Sequence, residues 1–508
     1  VRRSAIWRSS DAARTRSIEV IWSPFAEFMA WWLAIGLLAF VGFGPLRRDK
    51  SAAQAYLIAV ALHVAAAAIY VYIPDVLPSR ADASAFHKYA VLRQWSEGSD
   101  GFAIGSRLYE ELLAYVYRLF GASYFLGSVL SIYAFALSVL VLVRFMELLD
   151  IQQGKGLVVL LFGAVPTAVL YGSVPMREPY QVLFFMLACY CLLRFRLSSQ
   201  PLYLLAGTMF ALMMGILHKG LIVYAPFLVI VMLLVRVDRP DAATASWFHV
   251  YLHRFVAVVL ALGFVVGIST AEDRIREIGG AQLLLKATAA DALVDHTSEA
   301  RGDKALSDGR TAYGAALDTS TPVHLVYSSI MILTYYMFTP FPWQISHPRD
   351  LYALAESLLR MACLFAIFRM WRRGGPVNPQ VVVLLMVVYF SMAFLWAAGT
   401  FTWGTATRHH MIHQWIVLML GVPALLGARA ARSGHGGPLA PPADPPDGSE
   451  PGGTTPRWRR AGRRGGAAIP VLRRLGGQRW QPRGLRTGAA APRPLSGSFA
   501  ALRRPTRP

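Results

Sequence analysis

Residues 123–146 read SYFLGSVLSIYAFALSVLVLVRFM, a run whose single charged side chain is Arg144. About 20 apolar residues in a helix cross the ~30 Å hydrocarbon core of a bilayer, so this stretch predicts a membrane span. Comparable runs lie at about 24–45, 53–74, 157–174, 179–196, 202–217, 220–236, 252–270, 323–339, 353–370, 379–399 and 411–428. The pattern predicts an all-α, polytopic transmembrane bundle of about 11–13 spans. Composition agrees: 55% of the 508 residues are hydrophobic and 16% charged, whereas a soluble domain is nearer a quarter charged.

The net charge of +21 is uneven. From Arg429 to Pro508 sixteen Arg stand against Asp444, Asp447 and Glu450, and the first 19 residues add five Arg against Asp11 and Glu19. The apolar body presents no basic groove and the tail no patterned aromatics, so a nucleic-acid partner is not expected. Residues 1–19 and 429–508 read as disordered ends, the second rich in Gly, Pro and Arg, around a membrane domain at 20–428. Cys189, Cys191 and Cys363 sit inside apolar runs and read as small core residues.

Arg47, Arg48, Lys50, Lys155, Arg194, Arg196, Arg236, Arg239, Arg369, Arg372, Arg373, Arg429 and Arg432 cluster at one set of run ends. By the positive-inside rule these ends are cytoplasmic. The protein is then expected in the plasma (inner) membrane, with the tail in the cytoplasm and membrane lipids as its surroundings. Loops 75–122 and 271–322 and the turns at 174–178, 218–219, 340–352 and 400–410 face outward. Parity leaves 323–339 no room to cross once, and this run, stopped by Pro340 and Pro342, reads as re-entrant. Residues 106–120 read as an amphipathic helix on the outer interface.

Ionisable residues near membrane depth are costly and invite a functional reading. Asp82, in the outer loop, has the chemistry of a general base toward a hydroxyl, with His87 beside it as a ligand for an anion or sugar; the alternative is a solvated interfacial loop. In the hairpin Pro175-Met-Arg177-Glu178-Pro179 a guanidinium fork suits phosphate, although Arg177 and Glu178 could simply neutralise each other. His218, in the turn His218-Lys219, lines the same side or caps a helix. Gly404-Thr-Ala-Thr-Arg408-His409-His410 offers a second guanidinium and a titratable ring. His409 and His413 are spaced i, i+4, but without a nearby carboxylate the pattern is weak as a metal site, and a divalent metal requirement stays open. Trp343 reads as an interface anchor or a stacking surface for a sugar, with Arg349 nearby. Nothing resembles a Walker loop or a dinucleotide fingerprint, so no cofactor is signalled.

Asp82-Ala-Ser-Ala-Phe-His87, Ser173-Val-Pro-Met-Arg177-Glu178-Pro179, Gly215-Ile-Leu-His218-Lys219, Pro340-Phe-Pro-Trp343 and Gly404-Thr-Ala-Thr-Arg408-His409 together resemble motifs of bacterial EpsG/Wzy-type polysaccharide polymerases. They also resemble relatives in the C-type glycosyltransferase (GT-C) superfamily, over about residues 54–428. The pattern departs from GT-C in a span ahead of the acidic loop and in a lone acid at Asp82. The resemblance implies an enzyme that takes a polyprenyl-(pyro)phosphate-linked sugar donor and a glycan or lipid acceptor on the outer face. It further implies Asp82 as base, Arg177 and Arg408 as phosphate ligands with His218 and His409 beside them, and His87, Glu178, Trp343 and Arg349 as sugar- or acceptor-lining residues. Two other classes stay open. A flippase for a lipid-linked sugar would need polar groups in mid-span, where Glu27 and Glu356 lie only near run ends; a scaffold would act through its basic tail.

Overall fold

The computed structural model describes residues 23–73, 81–95, 103–235, 312, 318 and 320–432. The predicted span at 252–270, most of loop 271–322, both basic ends and Arg80 lie outside the described residues. The chain forms helices α1 (Pro24–Gly36, continued as a 3-10 helix to Gly42), α2 (Lys50–Tyr72), α3 (Ala81–Arg93), α4 (Ser106–Phe120) and α5 (Tyr124–Leu148). These are followed by α6 (Lys155–Ala164), α7 (Pro166–Gly172), α8 (Glu178–Ser198), α9 (Pro201–Ile216) and α10 (Lys219–Leu234). The last four are α11 (Pro322–Phe338), α12 (Leu351–Arg373), α13 (Pro379–Gly399) and α14 (Trp403–Arg432). Among the described residues the β-structure is one isolated bridge, Ala312 to Thr402.

Helix starts follow local chemistry. Asp49 accepts from Ser51 N and Ala52 N at 3.0 Å, Ser123 from Leu126 N at 3.0 Å, and Asn378 from Gln380 N at 2.9 Å, satisfying donors that a first turn leaves open. Pro24, Pro166, Pro201, Pro322 and Pro379 each open a helix, where a missing N–H costs nothing. Many large side chains point away from the bundle: Val383, Val387, Phe390 and Phe394 of α13, Leu202 and Leu205 of α9, Phe365 and Phe368 of α12. An apolar exterior on helices of this length belongs in lipid. The chain is a polytopic helical membrane protein.

All eleven predicted runs that fall on described residues are helical, but they differ in length and continuity. Among the described residues seven helices are long and apolar enough to cross a bilayer, and α6 with α7 makes an eighth if the bent pair is one span. The run at 157–174 breaks at Val165-Pro166 with a bend of 57°, because Pro166 cannot donate to the carbonyl one turn back. Helices α9, α10 and α11 have 16, 16 and 17 residues, or ~24–26 Å at 1.5 Å per residue, short of a ~30 Å core.

Helix α14 is central: Ile412, Trp415, Ile416, Val417 and Met419 are buried, and it touches α5 to α8 and α11 to α13. Small residues let backbones meet. A Cβ on Gly163 of α6 would lie 2.4 Å from Ala59 Cβ of α2 and 2.8 Å from the Phe135 ring of α5, a close approach typical of membrane helix contacts. Gly163→Leu is therefore expected to destabilise the bundle by at least ~1–3 kcal/mol, the usual result of overpacking. A lowered thermal unfolding midpoint in detergent would show it; an unchanged midpoint would mean that the α2/α6 contact is not tight.

One expectation about the outer region changes. Asp82 is not in a loop but in the first turn of α3. Ala83, Phe86, Ala90 and Val91 form an apolar face that packs on Tyr109, Leu113, Ala114 and Tyr117 of α4. The amphipathic α4 matches its predicted bounds, and Arg93 Nε ties α3 to it through Glu110 Oε2 at 3.0 Å.

Candidate functional site

Alternating helices bring the start of α3, the turn before α8, the turn between α9 and α10, and the start of α14 to one end of the bundle. The opposite end carries Arg47, Arg48, Lys50, Lys155, Arg369, Arg372 and Arg373. Arg408 links the first end. Its Nε donates to Glu178 Oε1 at 2.8 Å, its Nη2 contacts the same oxygen, and its Nη1 donates to Asp82 Oδ2. Glu178 opens α8 and is 1% exposed, whereas the Asp82 side chain is 62% exposed. One carboxylate is thus a buried brace and the other an accessible group.

Arg177 approaches Glu178 from the other side, Nε to Oε1 at 3.8 Å. Its Nη1 donates to Ser106 Oγ at 3.0 Å and Leu217 O at 3.2 Å, and its guanidinium lies 5.9 Å from the Phe86 ring centre. Burial pushes its pKa down, with Glu178 opposing that shift. Two guanidiniums thus meet two carboxylates, and the four-charge cluster is formally neutral.

Aromatic rings flank it. His218 caps α10, its Nδ1 accepting from Gly220 N at 3.1 Å, which places the ring proton on Nε2. Its ring meets Trp396 edge-on at 4.8 Å; Trp396 in turn stacks on His409 at 3.8 Å, and His409 Nδ1 pairs with Thr400 Oγ1 at 3.1 Å. Sequence reasoning had no signal for Trp396, which lies inside an apolar run.

Asp82, Arg177, Glu178, His218, Arg408 and His409 are therefore brought together. His87 faces elsewhere: its Nδ1 pairs with Tyr117 Oη at 2.8 Å and its ring packs against Tyr117 and Tyr124, fastening α3 to α4 and α5. Trp343 is 79% exposed and stacks on Phe341 at 4.9 Å. Arg349 lies in the short turn Pro348–Asp350 before α12. Among the described residues no group of three metal-ligating side chains occurs. Cys189, Cys191 and Cys363 are buried thiols.

Burial pushes His87 down to about 4, and burial together with Arg177 and Arg408 pushes His218 down to about 3, from an ordinary 6.5. The unfolded chain takes up these two protons as pH falls through 6.5, and the folded chain does not until about 4 or below. Stability present above 6.5 is accordingly lost on acidification through that window. The thermal midpoint in detergent is expected to fall between about pH 7 and pH 5, less steeply in His87→Gln; a flat profile would show that these rings are not held neutral.

Of a deeper polar set the sequence reading named Glu356, His410 and His413 but missed Arg360. Arg360 sits in the middle of α12, 2% exposed, and its Nη1 donates to Met337 O at the end of α11; Ser357 Oγ donates to Phe338 O at 2.7 Å. Glu356, also 2% exposed, accepts from Thr167 N at 2.8 Å and Thr167 Oγ1 at 2.7 Å at the start of α7. His410 Nε2 pairs with Tyr336 O at 2.8 Å, and the His413 ring packs against Tyr389. The signal was available, since an Arg inside an apolar run is rare enough to single out.

Comparison of the chain with protein-family models, with curated proteins and with solved structures gave no match.

Proposed function

We propose that the protein is an integral-membrane glycosyltransferase or polysaccharide polymerase of GT-C type. It transfers sugar from a polyprenyl-(pyro)phosphate-linked donor to a glycan or lipid acceptor on the outer face of the plasma membrane. The observation that carries the reading is the meeting of Asp82, Arg177, Glu178 and Arg408 at the end of the bundle opposite the basic one. With the basic end cytoplasmic, this cluster lies where a lipid-linked donor presents its phosphate, and the tail lies inside.

In this reading the acceptor hydroxyl attacks the anomeric carbon, the bond from that carbon to the phosphate oxygen breaks, and Asp82 takes the hydroxyl proton. Arg177 stabilises the charge that develops on the leaving phosphate. Arg408 exchanges partners: a donor phosphate entering its fork displaces the exposed Asp82 and leaves the buried Glu178 in place. Donor binding would thus free the base as it fills the phosphate site. His218, Trp396 and His409 wall the site with neutral rings suited to a sugar face.

The test is complementation of a null strain. Asp82→Asn is expected to lower polymer or lipid-linked product by ~10²-fold or more, the usual range for a general base, with protein levels and thermal midpoint retained. Arg177→Ala is expected to weaken donor use most at low donor. Unchanged surface glycan in both variants would refute the assignment.

A second reading, a flippase for a lipid-linked sugar, is favoured by the broken pair α6/α7 and the buried Arg360, since discontinuous helices and mid-membrane ionisable groups often mark transport paths. Reconstituted vesicles separate the two: translocation of a lipid-linked sugar without glycosidic bond formation would select the flippase.

A further inference from the structure

At the basic end, far from the Asp82 cluster, a cavity of about 1020 Å³ opens between α6, α12 and α14. That is the upper end of the range for ligand sites. Leu161, Leu359, Ala366 and Leu420 are among its walls, and Arg369 and Arg373, near the end of α12, line it together with Asp150. From Leu359 to Arg373 the wall runs ~21 Å along α12 at 1.5 Å per residue, somewhat more than the ~15 Å depth of one leaflet's hydrocarbon.

The lining carries two arginines against one aspartate. Among the described residues neither Arg369 nor Arg373 has an ion pair, while Arg369 lies over the Phe365 ring at 5.8 Å. Asp150 is engaged by Gln152 Nε2 at 2.9 Å. Two guanidiniums without an acidic partner among the described residues therefore border a cavity whose lining is otherwise mostly apolar. A small anion would gain nothing from the apolar walls, and a purely apolar molecule would leave the arginines unanswered. We infer that this cavity is a binding site for an anionic phospholipid of the adjacent leaflet, its phosphate at Arg369 and Arg373 and an acyl chain along α12.

The inference is independent of the catalytic reading. It can be tested by native mass spectrometry of the full-length protein in detergent, titrated with dioleoylphosphatidylglycerol or dioleoylphosphatidylcholine. The anionic lipid is expected to be retained about thirtyfold more strongly, given roughly 1 kcal/mol for each of the two arginines near a membrane surface. Arg369→Gln combined with Arg373→Gln should abolish that preference while leaving weak retention of both lipids. Ala366→Trp, which fills the trough, should reduce both. Thermal midpoints of the variants identify any that fail to fold, and the double Gln variant leaves the apolar lining unaltered. Equal retention of the two lipids by the unaltered protein, or a preference that survives the double substitution, would overturn the assignment. So would inorganic phosphate displacing the anionic lipid at equal concentration, which would indicate a small-anion site.

Discussion

Replacing Arg408 with Ala is expected to destabilise the bundle by about 3–5 kcal/mol, the usual consequence of leaving a buried charge without its partner. Glu178 is nearly inaccessible, and Arg408 grips its Oε1 through two nitrogens. Arg177, at 3.8 Å and committed to Ser106 and Leu217, cannot replace that contact. A lowered thermal midpoint in detergent would report the loss. Arg408→Lys should fall between, because one ammonium cannot reproduce a fork that joins Glu178 to Asp82. Pairing Arg408→Ala with Glu178→Gln should restore much of the stability and none of the activity, separating the brace from the chemistry. If Arg408→Ala kept the full midpoint, Glu178 would have to find another partner, and the description of the cluster as a closed four-charge unit would fail.

The contrast between Glu178 and Asp82 shows what a sequence can convey about such a site. That Asp82, Arg177, His218 and Arg408 share one end of the molecule is legible, because a chain that crosses back and forth sorts its turns into two sets and its Lys and Arg mark one of them. That Arg408 reaches Glu178 across 230 positions and shares itself with Asp82 is not. Spacing in sequence says nothing of which neighbours a turn acquires. Neutralisation of Arg177 by Glu178 was legible from their adjacency, but the entry of Arg408 and Asp82 into the same cluster was hidden for the same reason. Asp82 was misplaced in a loop because α3 is short and of mixed polarity, and its apolar face becomes meaningful only against α4. The long spans were legible from hydropathy alone. The break in the run at 157–174 is visible as Pro166 only to a reading that asks what receives the freed backbone groups, and the receiver, Glu356, lies 189 residues away.

That receiver is the basis of the second large effect. Glu356→Leu is expected to destabilise the protein by ~3–5 kcal/mol, as is Arg360→Leu, although each residue touches only a helix end. Glu356 puts a carboxylate on Thr167 at the start of α7, and Arg360 puts a guanidinium on Met337 O at the end of α11. Both signs match the helix dipole, anion at an N-terminus and cation at a C-terminus. In lipid no water is at hand to replace them. One turn of α12 thus secures the ends of two helices, and the i, i+4 spacing puts the opposite charges on one face. The double variant Glu356→Leu/Arg360→Leu removes both charges and should lose less than the sum of the single losses, with a coupling of ~1 kcal/mol or more. Glu356→Gln keeps an acceptor for Thr167 and should be the mildest. Purely additive losses in the thermal midpoints would mean that the two residues act separately. If Glu356→Gln instead kept its midpoint but abolished movement of a lipid-linked sugar across reconstituted vesicles, this buried pair would belong to a transport path rather than to the frame, and the flippase reading would displace the transferase.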